Sequence, residues 1–557
     1  MKKYNLLDHF PEGRTPRLQQ IDLLKQIQAA LESDKKFVVV NAPTGSGKSM
    51  IAAALAEATD EPCEGYSDYI KSYRAFKEGH EDEPDNYRSY GGGVLTVTKN
   101  LQDQYTKDFK DIALMKGKTN YQCDVDADYD VEDAPCNASA KLRNECWATC
   151  RCPYYEARNA ALLTKFSVFN YNVFLNLPEH IRKRELLICD EASELENVLV
   201  DNYTFQITYD EIEKLLDDSH YELKTEDEEP SNTWLGTLKD RLIDKGEQLE
   251  EILKNPKNKG FSKARKQNKA VKRAIGNIDN VFDNWNIHGA NTHSTEYIVE
   301  LLKPDDYNKD VKEGVMFTPY RATKISRHLF DYADKVILLS ATIIDHKKEI
   351  ADLGIPSDDY TYIEATNSFD PKKSPIRYSG KYPLNFKMMK QNLPKVIKMA
   401  EALVNHHKDD KGLIHTVNFN ITRSLETHFR GDTRFLFRGN GMTNERLLQE
   451  HKMTDEPTIM VSPSMSHGVD LVGDLGKFQI IMKTPFLPLS SKRIKRLCKE
   501  DYRWYANKTL STLVQMAGRC TRNDTDESTT YIIDASAAKL LESNWEKLPK
   551  YFTDRFV

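Results

Sequence analysis

A chain of 557 residues, with 39% hydrophobic and 29% charged residues and a mean hydropathy of −0.63, has length for about three or four domains and the composition of a soluble globular protein. No apolar run approaches the roughly 20 residues that span a bilayer, and MKKYNLLDHFPEG lacks the apolar stretch of a secretory leader; a cytoplasmic, reducing setting with no membrane contact is expected, and disulfides are the weaker reading of the nine cysteines. The net charge of −6 excludes a surface coated in positive charge but leaves room for a local basic groove along a phosphate backbone.

In chain order, RLQQIDLL carries Arg17 and Gln20, whose donors and acceptors suit an adenine edge or, more plainly, the polar face of a surface helix. From Lys36 the segment KFVVVNAPTGSGKSMIAAALAEA predicts a buried strand, a glycine-bearing turn and an alanine-rich helix. Thr44, Gly45, Ser46 and Gly47 form the phosphate cradle, Lys48 brings a point charge to the β and γ phosphates, and Ser49 offers its hydroxyl to Mg²⁺. Ala42 stands where the usual pattern has its first glycine. The next strand-to-helix junction, VLTVTKNLQDQY at 94–105, presents Thr98, Lys99 and Asn100 to a nucleic-acid phosphate.

Five cysteines follow, Cys123, Cys136, Cys146, Cys150 and Cys152, at intervals of 13, 10, 4 and 2 residues. Four thiolates satisfy a [4Fe–4S] cluster or a tetrahedral zinc ion, although the spacing lacks a paired zinc knuckle, and core packing of the thiols is a third reading. Cys63, Cys189, Cys498 and Cys520 are scattered and read as core thiols.

The strand ELLICDEAS ends in Asp190, placed to hold Mg²⁺, and Glu191, placed to orient an attacking water. Between DEAS and a later SAT lie about 145 residues, too many for a bare loop, with helical periodicity in YDEIEKLLDDSHYEL and WLGTLKDRLIDKGEQLEEILK. Within them residues 254–273 hold nine lysines or arginines and no acid, so Lys263, Arg265, Lys266, Lys269, Lys272 and Arg273 are either strand contacts or a solvated face. KVILLSATI at 335–343 predicts a buried strand with Ser340 and Thr342 at its polar end; KGLIHTVNFN and TIMVSPSMSHGVDL add strand-and-loop units of a second parallel sheet, with Asp470 a further nucleotide-binding candidate. In LVQMAGRCTR, Gln515, Arg519 and Arg522 are spaced to share a helical face toward a triphosphate, the arginines stabilising charge on its transferred group.

APTGSGKS, DEAS, SAT, HGVD and QMAGRCTR, in that order, resemble the motifs of superfamily two helicases. The flanks GKTNYQC and CPYYEAR resemble the iron–sulfur segment of the XPD/DinG-like branch, and on that resemblance Cys123, Cys136, Cys146 and Cys152 are the cluster ligands and Cys150 a bystander. The resemblance implies an α/β protein with two RecA-like lobes of parallel sheet: lobe one over 1–110, 161–205 and 317–345, a cluster domain at 111–160, a mostly helical arch-like insertion at 206–316, and lobe two over 346–557. It implies ATP, Mg²⁺ and a [4Fe–4S] cluster, and a monomeric motor moving 5′ to 3′ on single-stranded or forked DNA. An ATP-switched remodeller and an RNA helicase are the alternative readings. Ser193 departs from the family's histidine after DEA, and His467 from its glutamate before GVD. With the first strand expected from Lys36, no appended N-terminal nuclease domain is expected.

Overall fold

A computed structural model describes residues 2–60, 91–134, 136, 152–178, 182–217, 232–255, 258, 260–285, 297–304, 311–366, 370–439, 442–465, 471–521 and 525–557. The first sheet is built from β1 (Phe37–Asn41), β2 (Gly92–Thr96), β3 (Ala113–Met115), β4 (Phe166–Asn170), β5 (Arg184–Asp190), β9 (Ala333–Ser340) and β10 (Tyr360–Glu364). Their order is β10-β1-β9-β5-β2-β4-β3, and every pairing is parallel.

The near-continuous apolar runs of these strands follow from burial on both faces. Val39, Leu187, Val336 and Leu338 point to one core with the helices Pro153–Leu163 and Leu195–Asn202. Their neighbours Val38, Val40, Leu186, Ile188, Ile337 and Leu339 point to the other, against the helices Leu18–Leu31 and Lys48–Glu57. Strand pleating therefore fixes which face carries the phosphate-loop helix.

The second sheet holds β11 (Ile376–Tyr382), β12 (Gly412–His415), β13 (Phe435–Phe437), β14 (Ile459–Ser462), β15 (Phe478–Ile481) and β16 (Thr529–Asp534) in the order β11-β16-β15-β12-β14-β13, again parallel. Alternation repeats here: Tyr531 and Ile533 face one core and Ile532 the other. The protein is thus α/β with two parallel sheets, as expected.

Three boundaries differ from the sequence reading. Strand β10 joins the first sheet beside β1, so lobe one runs past 346 and the crossing to the second sheet falls after Glu364. Strand β3 and the helix Pro153–Leu163 also belong to lobe one, which narrows the cysteine-bearing insertion from both sides. The insertion after DEAS carries an antiparallel sheet of β6 (Phe205–Thr208), β7 (Tyr297–Leu302) and β8 (Gly314–Pro319) in the order β6-β8-β7, extending beyond 206 and 316. Periodicity missed it because its strands are short and separated in sequence by the helices. Leu235, Leu238, Leu242 and Leu249 of the helix Asn232–Leu253 pack with Ala264, Val271, Ile278 and Val281 of Phe261–Trp285, at spacings of three, four and seven that keep them on facing stripes. Among the described residues no helix is long and apolar enough to cross a membrane.

Candidate active site

The phosphate loop leaves β1 at its C-terminal end, where parallel sheets present ligand groups. Ala42 N donates to Ser340 O at 2.8 Å, tying the loop to the end of β9. Gly45 and Gly47 have φ of 76° and 81°, conformations that L side chains rarely adopt, and Lys48 opens the following helix. The fold therefore places Lys48 and Ser49 in the first helical turn, where backbone N–H groups have no helical partner. Ser46 Oγ is buried with no hydrogen-bond partner, an orphaned polar atom in the cradle.

Arg17 and Gln20 grip this loop directly. An Arg17 guanidinium nitrogen donates to Gly45 O at 3.2 Å, and Gln20 Nε2 donates to Ser46 O at 3.0 Å. Both side chains border a small hollow with Ser46, Ala365 and Thr366.

Asp190 ends β5 and is 5% exposed. Its carboxylate accepts from Glu191 N at 3.0 Å and from Tyr105 OH at 3.3 Å, while Tyr171 OH donates to its carbonyl at 2.9 Å. Burial, reinforced by Glu191, pushes the Asp190 carboxyl up to about 6, with Lys48 pulling the other way. An acid so placed is a strong ligand for a cation that replaces its lost hydration. Glu191 takes φ 52°, unusual for a residue with a side chain, and starts the short turn Ala192–Glu194.

Ser193 sits inside a chain of hydroxyls. Ser340 Oγ and Thr342 Oγ1 each donate to Ser193 Oγ at 3.0 Å, and Gln515 Nε2 reaches Ser193 Oγ at 3.5 Å and Thr342 Oγ1 at 3.3 Å. The DEAS, SAT and QMAGR segments therefore meet here, and the histidine-to-serine departure keeps a hydrogen-bonding link among them.

The expected common face of Gln515, Arg519 and Arg522 requires correction. The helix Tyr502–Ala517 ends at Gly518, so Arg519 lies in the turn beyond it, with its carbonyl accepting from Leu471 N at 3.2 Å. Arg522, Asp470 and His467 lie outside the described residues. Gly518 faces the phosphate loop closely enough that a Cβ there would come within 3.1 Å of Thr44 Oγ1. The cavity between them is also lined by Thr342, Tyr551 and Arg555. Arg555 donates to Ser374 O at 2.6 Å and Ala517 O at 3.1 Å, and burial lowers its guanidinium to about 10.

Sequence reading missed a second set of contacts between the lobes. Glu196, just past DEAS, accepts from Arg493 at 2.9 Å, Trp504 Nε1 at 2.8 Å and Lys508 Nζ at 3.0 Å, all from lobe-two helices. Burial alone would raise this carboxyl, but Lys508, Arg493 and Trp504 override it and hold it below the usual range. A signal was present: Trp504, Lys508, Ser511 and Gln515 recur at intervals of four, three and four, one helical face leading into QMAGR.

Of the cysteines, Cys123 and Cys136 pack together with Ala134 in one small buried cluster. Cys152, 7% exposed, stands immediately before the helix Pro153–Leu163. Cys146 and Cys150 lie outside the described residues. Among the described residues no group of three His, Cys, Asp or Glu side chains is placed to hold a metal.

Half of the six basic residues singled out are ion-paired with acids of this chain. Lys269 meets Glu132 at 3.1 Å and Asp133 at 2.9 Å, Lys272 meets Glu250 at 2.7 Å, and Lys263 meets Asp217 at 3.5 Å. Thr98, expected at a nucleic-acid phosphate, uses its hydroxyl to cap the helix Lys99–Asp108, accepting from Leu101 N at 3.3 Å.

Residues 404–555 match the family described as helicase C-terminal domain, and residues 14–64 match that described as type III restriction enzyme, res subunit. No curated protein sequence matches the chain. Among solved structures the fold is similar to that of an XPD helicase, with a TM-score of 0.59 at 14% identity over 96% of this chain and 98% of that one. It is similar also to Xpd4 of S. tokodaii, at 0.56 and 13% over 95% and 97%, and to an apo form of XPD, at 0.53 and 14% over 94% and 98%. The helicase C-terminal domain match falls on the second parallel sheet and the restriction-enzyme match on the phosphate loop, within a fold like that of an XPD helicase. The likeness to the XPD structures extends over nearly the whole of this chain and of each of theirs.

Proposed function

We propose that this protein is a DNA helicase that tracks 5′ to 3′ along single-stranded DNA and opens duplex, driven by ATP hydrolysis in the cleft between its sheets. The observation that carries the reading is the meeting of DEAS, SAT and QMAGR at Ser193, because it joins the hydrolytic carboxylates to both lobes. Lys48 and the backbone donors from Gly45 to Ser49 bind the phosphates, and Glu191 orients the attacking water. Arg519 and Arg522 offset charge on the transferred phosphoryl group. Bound Mg²⁺, held by Ser49 and Asp190, would neutralise phosphate charge; the raised, buried Asp190 carboxyl fits that duty. ATP binding that draws the lobes together then shifts the strand contacts of one lobe against the other.

Cys123, Cys136, Cys146 and Cys152 would hold a [4Fe–4S] cluster. The pairing of Cys123 with Cys136 in one buried cluster and the position of Cys152 at a helix start support that donor set, since thiolates are the ligands such a cluster takes. Held by those thiolates, such a group would staple a segment poor in core of its own.

ATP turnover measured with and without single-stranded DNA and RNA tests the reading, together with iron and sulfide analysis of anaerobically purified protein. Stimulation by DNA and about four irons per chain are expected. Turnover indifferent to DNA, or a colourless protein with stoichiometric zinc, contradicts the respective claim.

A further inference from the structure

Lys508 touches the DEAS segment at two points. Its Nζ donates to Ser193 O at 3.2 Å and contacts Glu196 Oε2 at 3.0 Å, so one lobe-two side chain spans the turn Ala192–Glu194 and enters the helix Leu195–Asn202. That turn begins at Glu191, whose left-handed backbone persists only where its surroundings hold it. Glu196 is itself fixed by Arg493 and Trp504, and the side chains of Glu196 and Arg493 are 4% and 6% exposed. Along the helix Tyr502–Ala517 the stripe Trp504, Lys508, Ser511 and Gln515 spends its polar ends on Glu196, Ser193 and Thr342, all in lobe one.

We propose that Lys508 and Glu196 are a positioning pair through which lobe two holds Glu191 in the conformation that activates water. Neither side chain needs to touch ATP. Docking of the Tyr502–Ala517 helix and alignment of the DEAS turn become one event, so hydrolysis is permitted only when lobe two is seated. The proposal rests on reading the chain as an ATP-hydrolysing motor. A buried ion pair that merely fastens the lobes would affect stability instead, since removing one partner leaves the other charge buried and uncompensated.

Steady-state ATP hydrolysis by the full chain, at saturating oligo-dT, separates these cases. In Lys508→Met and Glu196→Gln, kcat should fall roughly tenfold or more while KM for ATP stays within about threefold, and Lys508→Arg should recover most of the rate. The double variant should be no worse than the poorer single one, because both break the same link. Glu196→Gln keeps volume and an acceptor for Trp504, and carries the test alone should Lys508→Met fail to fold. Wild-type kcat in the variants, or a loss matching only the fraction of unfolded protein in near-ultraviolet dichroism, overturns the positioning pair. A wild-type chain without turnover overturns the motor reading itself; a turning-over wild type with unaffected variants overturns only the pair.

Discussion

Gly47 shows how tightly a single residue constrains the nucleotide cradle. Its φ is 81°, and a Cβ added there would lie 2.3 Å from Gln20 Nε2, so Gly47→Ala both strains the backbone and displaces the side chain that holds Ser46 O. At about 1–2 kcal/mol for the left-handed conformation alone, nucleotide affinity should drop roughly tenfold or more in a fluorescent-nucleotide titration. Unchanged affinity would mean that the loop is not the binding site. His415, at the end of β12, gives a pH-dependent counterpart. It is 0% exposed, its Nδ1 has no hydrogen-bond partner, and burial lowers its pKa from 6.5 to about 4 despite the bond to Gln479. A histidine depressed in the folded state contributes stability above its unfolded value and loses it as pH falls through the window from 6.5 to about 4, because the unfolded chain takes up its proton first. Urea unfolding should lose roughly 3 kcal/mol across that window, and His415→Asn should flatten this part of the slope; an identical pH profile in the variant would rule the group out.

At the level of elements, the insertion between DEAS and SAT has a core separate from those of the lobes, from Phe205 through Trp234 and Val271 to Phe317. Leu238 is 0% exposed within it, and Leu238→Ala should cost about 2–5 kcal/mol. Hydrogen exchange should then rise across 205–217, 232–285 and 297–319 while β1 and β5 keep their protection; a uniform rise through the first sheet would show that the insertion is not its own cooperative unit. The helices of this insertion were legible in sequence because their apolar spacing is local. Its sheet was not, because β6 pairs β8 across the helices that separate them and neither strand announces its partner. Strand β10 escaped notice for a related reason: half-buried residues of YTYIE alternate too weakly to reveal that they line up beside β1.

For the whole molecule, the phosphate loop, Asp190 and Glu191 were readable because strand, turn and helix signals adjoin the chemical groups they position. The link between lobes was largely unreadable, since Trp504 and Glu196 stand 308 residues apart and only folding makes the glutamate a buried acceptor. Further pairs extend this seam: Arg503 bonds Asp345 at 2.7 Å, and Arg321 meets Asp501 at 3.1 Å. These directional polar contacts run beside an apolar cluster in which Tyr320 packs with Leu497, Trp504 and Tyr505, and under the proposed motor function the polar pairs are the ones suited to exchange partners during a cycle. The direct test of that motor is strand displacement on forked substrates carrying a single-stranded tail at either the 5′ or the 3′ end. ATP-dependent opening of the 5′-tailed DNA, absent with Lys48→Ala, is the predicted result. Normal ATP turnover with no opening of either substrate, or opening of the 3′-tailed one alone, would contradict the account.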